Sequence, residues 1–253
     1  MTAPATEVAG ERLNHYLARH GVASRRGADA LIEQGRVHVN GGPTRLGTLV
    51  HPVADHVTVD GKPIGEAVPL RTLVLNKPAG VVSTRTDPQR RHTVLDMVED
   101  PRGLNPVGRL DADSRGLLLL SSDGALALRV THPRYGITKR YRVTVEDHVP
   151  KAALRRITEG IHLDDGPARA LEAHPVATTK IGEVVEVVMA EGRKREVRRL
   201  FAAAGLRVTD LCRVAVGPVQ LGRLREGQAR PLNAVEQRAL YEAVGLTPPK
   251  RNR

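Results

Sequence analysis

Aromatic side chains are nearly absent from this sequence. It has no Trp, one Phe and four Tyr in 253 residues. We therefore expect an aliphatic core, and we do not expect the broad aromatic platform on which some proteins stack single-stranded bases.

Cysteine and long apolar runs are equally scarce. Cys212 stands alone, which excludes an internal disulfide and a cysteine metal cluster and fits a reducing compartment. The first residues, MTAPATEVAGER, lack the basic start and apolar core of a signal peptide. No apolar run reaches the length of a membrane span. We expect a cytoplasmic protein without a membrane partner.

Acidic residues are too few to balance the basic ones. Lys and Arg number 39 against 28 Asp and Glu, which gives a formal net charge of +11. This excess predicts attraction to a polyanion, with nucleic acid as the first candidate. An anionic membrane surface is one alternative, but no long basic amphipathic helix supports it. A basic protein without a polyanionic partner is the other.

The chain begins with a small helical module after a start, residues 1–10, that we expect to be disordered. Apolar residues recur at helical spacing over 11–20, and Gly21 is a candidate C-cap. Ser24 is positioned to cap a second helix that ends near Gly35.

Two hairpin turns complete this module. Alternating valines at 37–39 and 57–59 predict strands that enter the turn pairs Asn40-Gly41 and Asp60-Gly61. The following segment, KPIGEAVPL at 62–70, has two prolines and no clear period, which indicates a linker. We therefore divide the chain into domains at 11–65 and 66–245, with a basic tail at 246–253.

Arg25 and Arg26 occupy the first positions of the second helix. Cations there oppose the helix dipole at a cost of about 0.3–1 kcal/mol each. A bound phosphate would remove this cost and use the free backbone N–H groups. Two solvated arginines that tolerate the cost are an equally good interpretation from spacing alone.

The larger domain opens with an apolar strand at 71–75 and a turn at 76–80. The next segment, 84–92, is basic and has no apolar partners, which predicts an exposed loop. Its cations are Arg85, Arg90 and Arg91. We favour phosphate binding for this loop, with a merely solvated loop as the alternative.

The segment 108–124, GRLDADSRGLLLLSSDG, combines a polar turn with four consecutive leucines. The leucines predict a buried strand, and the turn would place Asp111 at its edge, open to a cleft. Asp111 and Asp113 together suggest paired carboxylates, as in a glycosidase or metal site. Only Asp123 follows as a further ligand, and we expect it to cap a helix. From chemistry alone, two turn carboxylates that bond local N–H groups are the better interpretation.

Further elements follow along the chain. The alternating pattern around Tyr141 predicts a strand. Val143 and Val145 would lie on the same face as Tyr141, and Arg140, Arg142 and Thr144 on the opposite face. Residues 183–189 predict another buried strand. Residues 193–199 hold five cations in seven positions and begin a helix whose packed side is Val197, Leu200, Phe201 and Ala204. From about residue 228, we expect a short helix before the tail.

The N-terminal segment ERLNHYLARHGVASRRGADALIEQGRVHVNG resembles the S4 RNA-binding domain. In that family the two short helices carry the RNA-facing surface. The resemblance implies that this surface consists here of Arg12, Ser24, Arg25, Arg26 and Arg36. It favours phosphate contact at the start of the second helix.

Four further motifs follow in order: KPAGVVST, VGRLDADSRGLLLLSSDG, THPRYGITKRYRV and EGRKREVRRL. Behind an S4 domain, they resemble the bacterial ribosomal RNA pseudouridine synthases, from Glu11 to about Gly217. The implied fold is α+β: an S4 domain, then a mixed, mainly antiparallel sheet flanked by helices. Ser114 and Arg140 stand where this family usually has Thr.

The resemblance implies isomerisation of a specific uridine in ribosomal RNA, with Asp111 as the nucleophile. The carboxylate would add at C6 of the base or act at C1′ of the sugar, and both routes stay open. No cofactor or metal is implied. Arg109 would help to hold the target nucleotide out of its helix, and Tyr141 would lie against the uracil. Arg198 would pair with Asp111, and Leu200 would form the pocket floor.

The resemblance also implies the partner. We expect a monomer that binds ribosomal RNA, 23S in preference to 16S. The RNA would be free or part of an assembling ribosomal subunit. The alternatives are the same reaction on 16S RNA and a non-catalytic S4-type ribosome assembly protein. Beyond the S4 surface, the expected RNA contacts are Lys77, Arg85, Arg90, Arg91, Arg193, Lys194 and Arg195.

Overall fold

The computed structural model describes residues 10–146 and 148–249. The chain forms two compact units, of which the first ends at Pro69 and the second begins at Leu70. The predicted disordered start, apart from Gly10, and the last four residues of the predicted tail lie outside the described residues. Within the described ranges, no helix has both the length and the apolar character needed to cross a membrane.

The first unit contains two helices and six short strands. In chain order they are β1 (Glu11–Arg12), α1 (Leu13–Arg19), α2 (Arg25–Glu33), β2 (Val37–Val39), β3 (Gly42–Pro43), β4 (Leu49–Val50), β5 (Val57–Val59) and β6 (Lys62–Pro63). The strands form two antiparallel sheets, β1-β4 and β3-β2-β5-β6. Leu13, Leu17 and Ile32 are the centre of an aliphatic core between the helices and strands.

The predicted caps and turns of this unit are confirmed. Ser24 Oγ accepts a hydrogen bond from Gly27 N at 3.1 Å and so caps α2. Asn40-Gly41 and Asp60-Gly61 all have positive φ angles, as two-residue hairpin turns require.

The linker prediction at 62–70 is wrong for its first two residues, which form β6, whereas residues 64–70 form neither helix nor strand. Lys62 and Pro63 pair with β5, and Val68 N donates to Arg19 O at 2.9 Å. A two-residue edge strand shows no sequence period, and proline is acceptable at an edge because its missing N–H faces away from the ladder. The first helix also begins two residues later than predicted, since Glu11–Arg12 is a strand.

The second unit is built on a nine-stranded sheet. Its strands are β7 (Thr72–Lys77), β8 (Asn105–Val107), β9 (Arg115–Ser121), β10 (Lys139–Val145), β13 (Glu172–Thr179), β14 (Gly182–Met189), β15 (Val208–Val216), β16 (Val219–Gln220) and β17 (Ala229–Pro231). A separate hairpin joins β11 (Ile161–Leu163) and β12 (Gly166–Ala168). The helices are α3 (Gly124–Thr131), α4 (Lys151–Glu159), α5 (Glu196–Ala203) and α6 (Ala234–Ala243), with a 3-10 turn at Pro133–Tyr135.

The order of the main path is β13-β14-β10-β15-β9-β7-β17, while β16 pairs with β15 and β8 with β9. Among the described strands of this sheet, β15 and β9 run parallel and the other neighbours run antiparallel. The predicted mixed, mainly antiparallel sheet with flanking helices is therefore confirmed.

The four leucines explain why helices lie on both faces of the sheet. Leu118 and Leu120 belong to the apolar cluster of Phe201 in α5, whereas Leu117 and Leu119 belong to that of Leu240 in α6. All four leucines are at most 1 % exposed. A strand buried on both sides needs a continuous apolar run, which is the predicted pattern.

Gly116 makes the parallel pairing possible. Its φ is +103°, and it lies opposite Arg213 in the register of β15 and β9. A Cβ atom at this position would lie 2.3 Å from Arg213 O and 2.9 Å from Cys212 Sγ. The two strands approach this closely because residue 116 has no side chain.

We predict that Gly116→Ala destabilises the protein by about 3 kcal/mol or more, since it combines an unfavourable φ with overpacking. Chemical denaturation of the full chain measures this loss. Gly124→Ala is the matched control, because a Cβ there meets nothing within 4 Å and the residue begins a helix. Equal stability of the two variants would contradict the prediction.

Candidate active site

The turn that carries Asp111 connects β8 to β9. Ser114 N donates to Asp111 O at 3.0 Å, which closes the turn. Asp111 is half-buried, whereas Asp113 is exposed. The predicted position of Asp111 at the edge of the leucine strand is confirmed.

Lys77 holds this turn from inside the protein. Its side chain is fully buried at the end of β7, and its Nζ donates to Ser114 O at 2.7 Å, Pro78 O at 2.8 Å and Ala112 O at 3.4 Å. Gly80 N adds a bond of 2.7 Å to Ala112 O. The prediction that Lys77 contacts RNA is therefore wrong: the ammonium group bonds backbone carbonyls and is closed to solvent.

Two further side chains fix the residues around Asp111. Ser83 Oγ donates to Leu110 O at 2.8 Å and accepts from Leu110 N at 3.1 Å. Arg213, only 5 % exposed, donates from Nε to Leu117 O at 2.7 Å and from Nη1 to Arg109 O at 3.4 Å. The backbone on both sides of Asp111 is thus held by hydrogen bonds.

The turn forms one wall of a cavity of about 310 Å³. Asp111 lines it, and within the described residues the Asp111 side chain makes neither an ion pair nor a hydrogen bond. Tyr141, buried on β10, and the exposed Arg109 line the same cavity. Other lining side chains include Leu110, Lys139, Met189, Glu191, Arg193, Lys194, Arg195, Glu196, Val197, Leu211, Arg213 and Val216.

The two aspartates of the turn differ in their partners. Asp113 accepts hydrogen bonds from Arg195 at 2.9 and 3.1 Å, and Arg198 Nη2 donates to Asp113 O at 2.9 Å. Arg198 Nε also lies 3.5 Å from Asp113 Oδ2. The hydrogen bonds from Arg195 lower the pKa of Asp113. Both cations thus meet on Asp113, which leaves the carboxylate of Asp111 free.

This arrangement corrects two expectations. Arg198 was predicted to pair with Asp111, but its guanidinium reaches Asp113, two residues further along the same turn. Arg195 was predicted as an RNA contact, and its charge is already neutralised by Asp113. Arg195 adopts a left-handed conformation, with φ of 50°, directly before α5, and its guanidinium meets Asp113 from there.

Leu200 and Arg193 also differ from prediction. Leu200 is fully buried in the core cluster, and Val197, one turn earlier on α5, lines the cavity instead. Arg193 was predicted to contact RNA, but it bonds Glu196, Asp165 and the carbonyl of Pro167 at 2.7–3.1 Å. These bonds tie the segment before α5 to the β11-β12 hairpin.

Other predicted contacts lie at the surface of this unit. Lys194 is exposed and lines the cavity, and Arg85 and Arg90 are exposed in their loop. Arg91 is exposed too, but it forms a bidentate ion pair with Asp87 at 2.7 and 2.9 Å.

The strand around Tyr141 alternates as predicted, with one exception. Tyr141, Val143 and Val145 are buried and Arg140 and Arg142 are exposed, as expected. Thr144 was predicted on the outer side, yet it is 7 % exposed because the strand lies in the middle of the sheet.

In the first unit, the predicted RNA-facing residues divide into two groups. Arg25 and Arg26 are exposed at the start of α2 and have no hydrogen bond or ion pair within the part of the chain that the structure describes. Arg12 is exposed as well. Ser24 is occupied as the N-cap, and Arg36 forms a bidentate pair with Asp60 at 2.6 and 2.8 Å.

The sequence interpretation missed three charged residues in the cavity wall. Lys139, Glu196 and Arg213 are 9 %, 4 % and 5 % exposed. Burial, and then the charge of Arg213, lower the pKa of Lys139, while Glu196 acts in the opposite direction. The sequence contains a signal for two of these three residues. Lys139 lies two residues before Tyr141 and therefore on the same face of the strand, and Arg213 interrupts the apolar run of β15.

A cavity with a free carboxylate, a buried tyrosine and several cations fits an enzyme that handles an anionic polymer. A profile of the family described as RNA pseudouridylate synthase matches residues 71–203, and an S4 domain profile matches residues 11–52. The chain belongs to the RNA pseudouridylate synthase family, a family of isomerases.

Individual proteins agree with this assignment. An uncharacterised RNA pseudouridine synthase of Aquifex aeolicus is 42 % identical over 93 % of this chain and 95 % of its own. Ribosomal large subunit pseudouridine synthase B of Bacillus subtilis is 38 % identical over 91 % of this chain and 95 % of its own. The crystal structure of a pseudouridylate synthase has a TM-score of 0.64 at 31 % identity, and covers 90 % of this chain and 99 % of that one.

The buried ammonium of Lys77 leads to a test by pH. Burial lowers the pKa of Lys77 to about 8, so the unfolded chain binds this proton more tightly than the folded protein. Between that pKa and the usual lysine pKa of about 10.4, the unfolded state holds more protons, and stability rises with pH.

We therefore predict that the free energy of unfolding of wild type, relative to Lys77→Met, increases by about 2 kcal/mol between pH 7.5 and pH 9.5. Urea denaturation of both proteins across this range measures the difference. A constant or falling difference would show that the lysine is not destabilised by its burial.

Proposed function

We propose that this protein converts a specific uridine of large-subunit ribosomal RNA to pseudouridine, with Asp111 as the nucleophile. The observation that carries the proposal is the free carboxylate of Asp111 in the cavity wall, next to Tyr141. The large subunit is favoured because the Bacillus subtilis relative is named for it. Such an enzyme would act as a monomer in the cytoplasm, on free RNA or on an assembling subunit.

The reaction detaches uracil from C1′, turns the ring and reattaches it through C5. A carboxylate assists by adding at C6 of the base or by acting at C1′ of the sugar. Both routes require Asp111 to be ionised and to have an unshared oxygen. Asp111 meets the second requirement, whereas Asp113 has its oxygens engaged by arginines.

The target base must leave its helix before it can reach Asp111, because a stacked base exposes too little of its sugar and ring. Such base extraction costs a few kcal/mol. Arg109, exposed at the cavity, is placed to contact the displaced nucleotide, and Tyr141 offers its ring to the uracil. The exposed cations Arg85, Arg90 and Lys194 would add contacts to the RNA backbone.

We predict that Asp111→Asn abolishes pseudouridine formation, with a loss of at least about 10³-fold, while folding and RNA binding are kept. Pseudouridine mapping of both rRNAs, from cells lacking the protein and complemented with each variant, measures this. Asp113→Asn is the matched control, since it changes the same charge in the same turn and should retain activity within about tenfold.

The same maps test the substrate. A site that disappears from 16S instead of 23S RNA would move the reaction to the small subunit. If cells without the protein keep every ribosomal pseudouridine, a non-catalytic role in ribosome assembly becomes the better explanation.

RNA binding by the first unit is proposed to rest on Arg25 and Arg26. They stand at the positive end of α2, and their side chains have no partner among the described residues, so a phosphate there would relieve the dipole cost. Arg36 has the same charge on the same unit, but its ion pair with Asp60 already neutralises it.

We predict that Arg25→Ala with Arg26→Ala weakens binding of an rRNA fragment and reduces the slope of log affinity against log salt by about 1.5, as expected for two lost phosphate contacts. Filter binding with full-length protein at several salt concentrations measures both quantities. Arg36→Ala should change the slope far less, and an unchanged slope in the double variant would show that these arginines do not contact phosphate.

A further inference from the structure

Lys139 is a buried cation to which residues 10–146 and 148–249 offer no hydrogen-bond or ion-pair partner. It begins β10, is 9 % exposed and lines the cavity that Asp111 lines. Across the described residues, its ammonium makes neither a hydrogen bond nor an ion pair. Burial of an unpaired charge is unfavourable, so a chain that keeps one there gains something other than stability.

The neighbours of Lys139 do not neutralise it. Arg213, on the adjacent strand β15, adds a second buried positive charge, and its Nη2 has no hydrogen-bond partner in the described part of the chain. The charge of Glu196 on α5 acts on Lys139 in the compensating direction, but Arg193 engages Glu196 through two hydrogen bonds of 3.1 Å. This part of the cavity is therefore positively charged before any ligand enters.

The walls beside Lys139 are apolar. Met189 and Val216 are its register partners on the two neighbouring strands, and both line the cavity. A flat pyrimidine ring fits such walls, because its faces are apolar and its oxygens lie at the edge. A phosphate group would lose its hydration there without enough donors to replace it.

We propose that Lys139 binds a carbonyl oxygen of the target uracil and stabilises the negative charge that the ring acquires during the reaction. This role deepens, and rests on, the proposed function. When the N1–C1′ bond breaks, both electrons leave with the ring and spread over N1 and the carbonyl oxygens. The C5–C1′ bond then forms, C5 loses a proton and N1 gains one, so the isomerisation balances without a further reactant.

The charge on the ring arises by either route of Asp111. Addition at C6 moves an electron pair into the ring, and departure from C1′ leaves the bonding pair on it. A fixed cation in a poorly hydrated cavity stabilises such a charge more than water does, since it needs no reorganisation. Lys139 is the cavity cation that is both buried and without a hydrogen bond among the described residues.

Barbiturate tests this role without RNA, because its pyrimidine ring carries a negative charge on its oxygens at neutral pH. We expect the full-length protein to bind it in a calorimetric titration, Lys139→Met to weaken binding by about tenfold or more, and Lys139→Arg to retain most of it. Lys151→Met is the control, since Lys151 is exposed on α4 and does not line the cavity. Equal affinity of wild type and Lys139→Met, or binding by neither, would overturn the proposal.

Stability and kinetics separate this role from a structural one. Lys139→Met should melt no lower than wild type, while kcat for tritium release from [5-³H]uridine-labelled 23S transcript falls by about 10² with KM nearly unchanged. Lys139→Arg should restore most of kcat. A lower melting temperature together with unchanged kcat would make Lys139 a structural residue.

Failure of the proposed function can be distinguished from failure of the Lys139 proposal. If the proposed function is wrong, wild type releases no tritium from either rRNA, whereas the barbiturate comparison still decides the role of Lys139. Inorganic phosphate tests the alternative that Lys139 binds a phosphate group. If phosphate binds wild type in the same titration, if this binding requires Lys139, and if barbiturate does not displace the phosphate, then the assignment of Lys139 to the base is wrong.

Discussion

The active site depends on a buried lysine that bonds backbone instead of an acid. Lys77, at the end of β7, donates to two carbonyl oxygens of the Asp111 turn and to that of Pro78, and Arg213 holds the same segment from β15. These cations gain charge-assisted hydrogen bonds and fix a polar turn without using its carboxylates. The close approach of β15 and β9 at Gly116 is what brings Arg213 to this position.

The turn also separates two carboxylates that look alike in sequence. Asp113 lies towards α5 and meets two arginines, while Asp111 faces the cavity unpaired. An ion-paired carboxylate has less charge to offer a substrate, so the pairing of one aspartate leaves the other available. Lys139 resembles Asp111 in this respect: each is a charged group that lines the cavity and has no ion pair or hydrogen bond from its side chain among the described residues.

Much of the fold was predictable because it follows local patterns. The leucine run, the alternation around Tyr141, the Ser24 cap and the two hairpin turns each depend on a few neighbouring residues, and each was located correctly. The start of the linker at 62–70 was not, because the two-residue strand Lys62–Pro63 has no period to detect. Among site residues, Asp111 and Tyr141 line one cavity as expected. Lys77 and Leu200 were assigned to roles that their burial contradicts, and Arg193 to one that its hydrogen bonds within the protein contradict.

The sequence by itself determined the basic charge, the aliphatic core, the motif that carries Asp111 and the family resemblance. Only the tertiary structure decided which charges are free. A lysine or arginine looks the same in sequence whether it meets solvent, a carbonyl or a carboxylate, and its partner comes from a strand or turn far along the chain. Packing, and not spacing along the chain, decides that Arg198 meets Asp113 and that Lys77 bonds the Asp111 turn. It also decides that Lys139 is buried without a partner among the described residues.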